Sequence, residues 1–224
     1  MRRGFLKPEI VPYDPKWVEY FDADKKLLQK ILRGFDVTIE HVGSTSVVGL
    51  SAKPCIDIIV GVRENPRENI PKIVDVLARH GFVDEDFFSH DTAPVSNEVI
   101  FPCIPKRKNR RGEYINFVHI ATVGSPAYQK MVNFGRDYLR EFPAVRAEYE
   151  KFKYKCAEKE SQAGGDFMEY TRMKEEFLGK MRADAKKYYN LPRDDAKQTE
   201  LNEIWAEMKR HGRRAASMVG RVKK

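Results

Sequence analysis

Residues 41–58 read His41-Val42-Gly43-Ser44-Thr45-Ser46-Val47-Val48-Gly49-Leu50-Ser51-Ala52-Lys53-Pro54-Cys55-Ile56-Asp57-Ile58. A turn of small hydroxylated residues thus lies between two apolar runs. Before it, Val37, Ile39 and Val42 fit a strand that runs straight into Gly43-Ser44-Thr45-Ser46. After it, Cys55–Val62 is apolar on both faces except for Asp57, the pattern of a strand buried on both sides. Glycine lets backbone N–H groups approach a ligand closely, and three hydroxyls stand beside it, an arrangement that suits phosphate oxygens. Lys53 follows on the same loop and is placed to neutralise phosphate charge. A lone carboxylate in an apolar strand must be paired, metal-bound or at an edge, and a carboxylate beside a phosphate cradle is what a Mg2+–nucleotide site requires. Each feature also has a plain structural reading: a Gly-Ser turn, a buried ion pair at Asp57, and a His41 that props the loop.

Working outward, Asp14-Pro15 reads as a cap followed by proline at the first helical position. Trp17, Phe21, Leu28, Ile31 and Leu32 then recur at helical spacing up to Gly34. Pro66–His80 reads as a helix through Ile70, Ile73, Val74 and Leu77, stopped by Gly81. Further strands are expected at Phe82–Asp86, Glu98–Cys103 and Glu113–Thr122. From Ser125-Pro126 onward the pattern is helical. One helix runs through Tyr128, Met131, Val132 and Tyr138, and a second opens at Pro143 and runs through Val145, Tyr149, Phe152 and Cys156. A third follows Gly164-Gly165-Asp166, through Phe167, Tyr170, Phe177 and Met181. Leu191-Pro192 marks a boundary, beyond which Leu201, Ile204, Trp205 and Met208 form a short apolar stripe. The expected fold class is α+β (α/β-like): a small mixed β-sheet core with helices, a helical second half, then a tail.

The formal net charge is +8. It is concentrated in the block Lys106-Arg107-Lys108-Asn109-Arg110-Arg111 and in residues 191–224, leaving the remainder near neutral. Such segments suit RNA, phosphates or acidic protein, or serve simply as a solvated loop and a solubilising tail. The three cysteines, Cys55, Cys103 and Cys156, are widely spaced and form no CxxC pair. A disulfide framework or zinc site is therefore not expected, and a cytoplasmic location is. No apolar run approaches the roughly 18 residues of a membrane span, and the basic start MRRGFLKPEI lacks the apolar core of a secretory leader.

The stretch 41–58 resembles the pattern of the GrpB (UPF0157-type) family, which runs roughly His-Ile-Gly-Ser-Thr-(Ser/Ala)-Val-Pro-Gly-Leu-x-Ala-Lys-Pro-x-Ile-Asp-Ile. Tyr13-Asp14-Pro15-x-Trp17 is similar to the family's opening. Phe117-Val118-His119-Ile120 resembles its His-Leu-His-Val strand. Arg136-Asp137-Tyr138-Leu139-Arg140, Tyr149 and Lys153 resemble its helical half, and Tyr170 with Lys174 its closing Tyr…Lys pair. The resemblance covers about residues 10–188 and leaves 191–224 outside as a basic helix or tail. It implies a nucleotidyltransferase-type core, with Gly43 and Ser44 as the phosphate turn and Asp57 as the first metal carboxylate. Asp57 and His119 are then the expected catalytic residues. His41, Gly43, Ser44, Thr45, Ser46 and Lys53 are expected to bind the ligand, with Mg2+ on Asp57.

Three departures bear on that expectation. Val48 replaces the loop proline, Phe117 stands where the family often has histidine, and Gly135 stands where it usually has Phe. Ile59 occupies the position of a second carboxylate, so a two-metal clamp needs ligands from elsewhere, with His119, Glu98 and Glu113 as the candidates. The expected function is metal-dependent nucleotide binding and nucleotidyl transfer to an unnamed acceptor. The alternatives are a non-catalytic module for a nucleotide or coenzyme-A-like ligand, and an RNA-associated protein. No G-x-x-x-x-G-K-[ST] motif is present, so dephospho-coenzyme A kinase activity, found in proteins fused to relatives, is not expected of this chain.

Overall fold

A computed structural model of the chain describes residues 9–82, 104–105, 116–162 and 167–219. Helix α1 (Lys16–Ile31) follows Asp14, whose Oδ1 accepts the Lys16 N–H at 2.9 Å, with Pro15 at the N-cap rather than at the first helical position read from the sequence. It buries Trp17, Phe21 and Leu28 and ends before Gly34, whose φ of +104° turns the chain. Strand β1 (Val37–Val42) leads into a single 3-10 turn at Ser44–Ser46, and β2 (Ile56–Val62) returns antiparallel to it. Helix α2 (Pro66–Arg79) follows. A two-residue strand β3 (Ile104–Pro105) pairs with β4 (Asn116–Thr122), which runs parallel to β2. The sheet order is β1-β2-β4-β3. This mixed sheet with flanking helices is the α+β class expected from the sequence. Cys55 and Cys156 are buried.

Of the expected strand Phe82–Asp86, only Phe82 is described, as a buried core side chain outside any strand. Segment Glu98–Cys103, Glu113 and the basic block Lys106–Arg111 lie outside the described residues.

The second half begins with Ser125, whose Oγ accepts the Tyr128 N–H at 3.2 Å and caps α3 (Pro126–Met131). The helix continues as a π-helical turn, Val132–Asp137, then α4 (Tyr138–Glu141), α5 (Pro143–Gln162), α6 (Phe167–Tyr189) and α7 (Asp195–Val219). Gly135 sits inside the π-turn, where an added Cβ would stand 3.0 Å from the Lys130 carbonyl oxygen. The glycine that departs from the family pattern is thus the residue this crowded turn accepts.

Two apolar clusters form. The larger joins α1, α2 and the sheet. The smaller joins Phe134, Tyr138, Leu139, Tyr149, Met181 and Ala185 with Val47 and Leu50 from the loop between β1 and β2. That loop therefore bridges the two.

Helix α7 is not an appendage. Leu201, Ile204 and Trp205 are at most 4 % exposed and belong to the larger cluster. Buried Gln198 accepts the Ala127 N–H at 2.9 Å, so α7 also supplies a cap for α3. Arg67 on α2 faces Glu200, Glu203 and Glu207 of α7. Residues beyond the family resemblance thus complete the core. Among the described residues, no helix is long and apolar enough to cross a membrane.

Candidate functional site

Strand alternation and register sort the site residues onto two faces. Thr38 and Glu40 of β1, Asp57, Ile59 and Gly61 of β2, and Phe117 and His119 of β4 share one face. Tyr128 and Arg136 from the helical half cover it. Tyr128 bonds to both Thr38 and Glu40, and Arg136 Nη1 donates to Glu40 Oε2 at 2.7 Å. His41 points to the opposite face, stacked on Phe21 of α1 at 4.8 Å between ring centroids.

Asp57 stands at the start of β2, where the loop returns. His119 Nε2 lies 3.1 Å from Asp57 Oδ1. The other carboxylate oxygen packs against Gly43: a Cβ built there would sit 2.4 Å from Oδ2. Gly43 also has φ +72°. Both the backbone conformation and the close approach demand glycine at this point. The structure therefore brings Gly43, Asp57 and His119 together, as the sequence expected. Ser44 follows half-buried on the turn.

The remaining hydroxyls brace the loop. Thr45 donates to the Cys55 carbonyl at 3.1 Å, which commits its only proton. His41 Nε2, 3.0 Å from the same Oγ1, must then be the donor. Burial pushes the His41 pKa down to about 4, offset in part by Asp57, so the ring is neutral and carries its proton on Nε2. Ser46 Oγ donates to the Gly43 carbonyl at 2.6 Å. His41, Thr45 and Ser46 thus shape the turn with the groups that were expected to meet a ligand.

The helical half fastens the same loop through its carbonyls. Arg136 donates to the His41 oxygen at 3.2 Å, Arg140 to Ser46 at 2.7 Å and Arg146 to Val48 at 3.1 Å. Lys153 Nζ donates to the Ser51 carbonyl, and Glu150 accepts the Ser51 N–H at 2.7 Å. The exposed Val48 side chain replaces the family proline at a point where Arg146 holds the backbone instead.

Glu40 sits directly across the ladder from Ile59. Burial alone would raise its pKa, but the hydrogen bonds from Tyr128 and Arg136 outweigh this and hold it below the usual carboxylate range. Burial and Glu40 together push Tyr128 up to about 12.

Burial, and then Lys174, lower the pKa of Lys53 to about 8, while Asp57 acts to raise it. Lys153 is 1 % exposed, and burial with Lys174 lowers it to about 7. Lys153 and Lys174 entered the sequence reading only as matches to a family pattern. Their signal was available: Lys153 lies four residues after Tyr149 and three before Cys156, in the middle of an apolar helical stripe.

For a metal, Asp57 offers one carboxylate. Ile59 is fully buried, and among the described residues no three His, Cys, Asp or Glu side chains cluster. The described donors alone do not make a two-metal clamp. A single Mg2+ would take Asp57 as its protein carboxylate.

Residues 7–184 match the family described as "GrpB protein". The chain belongs to the GrpB family. It is similar to the UPF0157 protein YqkA of Bacillus subtilis, with 29% identity over 81% of this chain and 48% of that protein, so the match spans about half of the relative's length. It is also similar to the glutamate-rich protein GrpB of Alkalihalophilus pseudofirmus, at 29% identity over 78% and 95% of the two chains. The crystal structure of conserved protein GrpB from Enterococcus faecalis superposes with a TM-score of 0.63 at 29% identity, over 81% of this chain and 99% of that one.

Proposed function

We propose that this GrpB-family chain binds a nucleotide, or another phosphorylated small molecule, at the loop Gly43–Lys53 and the adjoining ends of β2 and β4. The observation that carries this reading is the contact between Gly43 and the Asp57 carboxylate. A side-chain-free, positive-φ turn is pressed against the one acid of an apolar strand. On this proposal the turn backbone and the carboxylate meet one ligand group. In this reading Gly43 and Ser44 contact phosphate oxygens, Lys53 neutralises charge, and Asp57 holds one Mg2+. The bound metal supplies charge neutralisation of the phosphates. The neutral His41, with Thr45 and Ser46, keeps the turn in its receiving conformation.

Calorimetric titration with ATP, GTP, CTP and UTP, with and without Mg2+, tests this. Wild type is expected to bind at least one of them more tightly with Mg2+, and Asp57→Ala is expected to lose the metal-dependent part. Absence of binding to all four refutes the nucleotide reading.

A second reading, nucleotidyl transfer, draws on the pairing of Asp57 with His119. A carboxylate–imidazole couple on the ligand face is suited to accept the proton of an attacking hydroxyl. Release of pyrophosphate in the presence of a hydroxyl acceptor, lost in His119→Ala, distinguishes transfer from binding alone.

A further inference from the structure

The stretch from the π-turn into α5 sends three arginines to the loop between β1 and β2, and each ends on a main-chain carbonyl. Arg136 donates to His41 at 3.2 Å, Arg140 to Ser46 through Nη2 at 2.7 Å and Nε at 3.3 Å, and Arg146 to Val48 at 3.1 Å. Their charges are balanced differently. Arg136 is paired with two carboxylates, Glu40 and Asp137, each at 2.7 Å. Among the described residues no carboxylate forms an ion pair with Arg140 or Arg146. The acids nearest to them along the chain are engaged elsewhere. Glu141, next to Arg140, accepts from Tyr188 and Tyr189. Glu150, one turn after Arg146, accepts the Ser51 N–H. Arg and Glu at that spacing ordinarily pair on a helix surface. Here carboxylates act on both arginines only at longer range, Asp137 and Glu40 on Arg140 and Glu150 on Arg146.

A guanidinium carries five N–H donors and a permanent charge. The bonds to Ser46 and Val48 leave the larger part of each fork without an acceptor among the described residues. This edge of the loop is also open to solvent: Arg140 is exposed, Arg146 is half-buried and Val48 is 65 % exposed. The carbonyl bonds hold the two forks in place, which removes rotamer entropy that an unanchored surface arginine would lose on binding.

We propose that Arg140 and Arg146 are the outer-phosphate contacts of the ligand site, so that its ligand class is a nucleoside di- or triphosphate rather than a monophosphate. This deepens the reading given above and rests on it for the inner phosphate at Gly43 and Asp57. The two arginines hold the loop at Ser46 and Val48, beyond Gly43 in the chain, so positive charge is offered along the loop and not only at the Gly43–Asp57 corner. A polyphosphate carries its negative charge along its length, and each of its groups presents oxygens that suit the planar fork.

The test is calorimetric titration of the full chain with inorganic triphosphate and with orthophosphate, without metal, at about 0.15 M salt. Wild type, Arg140→Gln, Arg146→Gln and Arg140→Lys are compared, with thermal unfolding to confirm that each variant is folded. Wild type is expected to prefer triphosphate by about tenfold or more, and each glutamine substitution to weaken triphosphate by about tenfold while orthophosphate stays within about twofold. Arg140→Lys keeps the charge but loses the fork, and its affinity for triphosphate is expected to fall between. Arg146→Gln provides the test should Arg140→Gln fail to fold. A lower melting temperature with the triphosphate preference intact marks the arginines as loop fasteners only and overturns the proposal. Absence of triphosphate binding, or equal affinity for the two anions, also overturns it. Binding of ATP with AMP bound as tightly overturns the outer contacts and leaves the nucleotide reading standing. Triphosphate binding that follows the arginines, in a protein that binds no nucleotide, supports the contacts and overturns the nucleotide reading.

Discussion

Acidification should destabilise the protein through His41, in a pH window set by that residue alone. Its ring is 8 % exposed, stacked on Phe21, and donates from Nε2 to Thr45. Burial lowers its pKa from 6.5 to about 4. The folded state thus resists protonation while the unfolded chain accepts it at the ordinary value. The contribution to stability is complete above pH 6.5 and is lost progressively as pH falls through the window down to about 4. At about 1.4 kcal/mol per pH unit, the full loss is about 3 kcal/mol, of which about 2 kcal/mol has gone by pH 5. Carboxylates and the buried lysines add their own slopes, so the useful quantity is a difference. His41→Gln retains an N–H donor for Thr45 and does not titrate. Urea unfolding at about pH 7.5, 6 and 5 should show wild type losing about 2 kcal/mol more than His41→Gln over that range. Parallel pH profiles would refute the assignment of a buried neutral imidazole to this position.

Three further outcomes follow from the geometry. Gly43→Ala should cost well over the 1–2 kcal/mol of its left-handed backbone alone, because its Cβ meets the Asp57 carboxylate. Gly49→Ala, at φ +79° in open space, should cost roughly only that amount, and urea unfolding of both variants checks the contrast. Arg136→Leu should destabilise by about 3 kcal/mol, since it leaves Glu40 half-buried without its cation; a double-mutant cycle with Glu40→Gln should recover part of that loss. Trp205→Ala should cost about 3–5 kcal/mol in thermal or urea unfolding, whereas a solubilising tail predicts almost no change.

The elements that sequence periodicity revealed are those whose partners are local. The β1–loop–β2 unit, the capped starts at Asp14 and Ser125 and the long helices all carry their signals within a few residues. What stayed hidden depends on contacts across the chain. Arg136 bonds its neighbour Asp137 at 2.7 Å, but its second carboxylate is Glu40, 96 positions earlier. Arg140 holds the Ser46 carbonyl, and its neighbour Glu141 accepts from Tyr188 and Tyr189. The π-turn has no local signal beyond Gly135. Helix α7 showed an apolar stripe, but not the groove against α2, α3 and β4 that receives it. At the site, Gly43, Asp57 and His119 were readable together only from the family motif, while the β2–β4 pairing that places His119 beside Asp57 was not. The burial of Lys153 was legible from its place in the apolar stripe of α5, but its bond to the Ser51 carbonyl, 102 positions earlier, was not.

The loop's membership in the smaller apolar cluster has a consequence for motion. Val47 and Leu50 are its anchors there, while Val42 and Ile56 at its two ends belong to the larger cluster. Partial opening of α5 and α6 would therefore release the turn while the sheet remained intact. Amide hydrogens of residues 44–51 should then exchange with solvent together with those of α5, at a lower free energy than those of β2. Docking of the helical half sets the turn before any ligand arrives, so the entropy of ordering it is charged to folding rather than to binding.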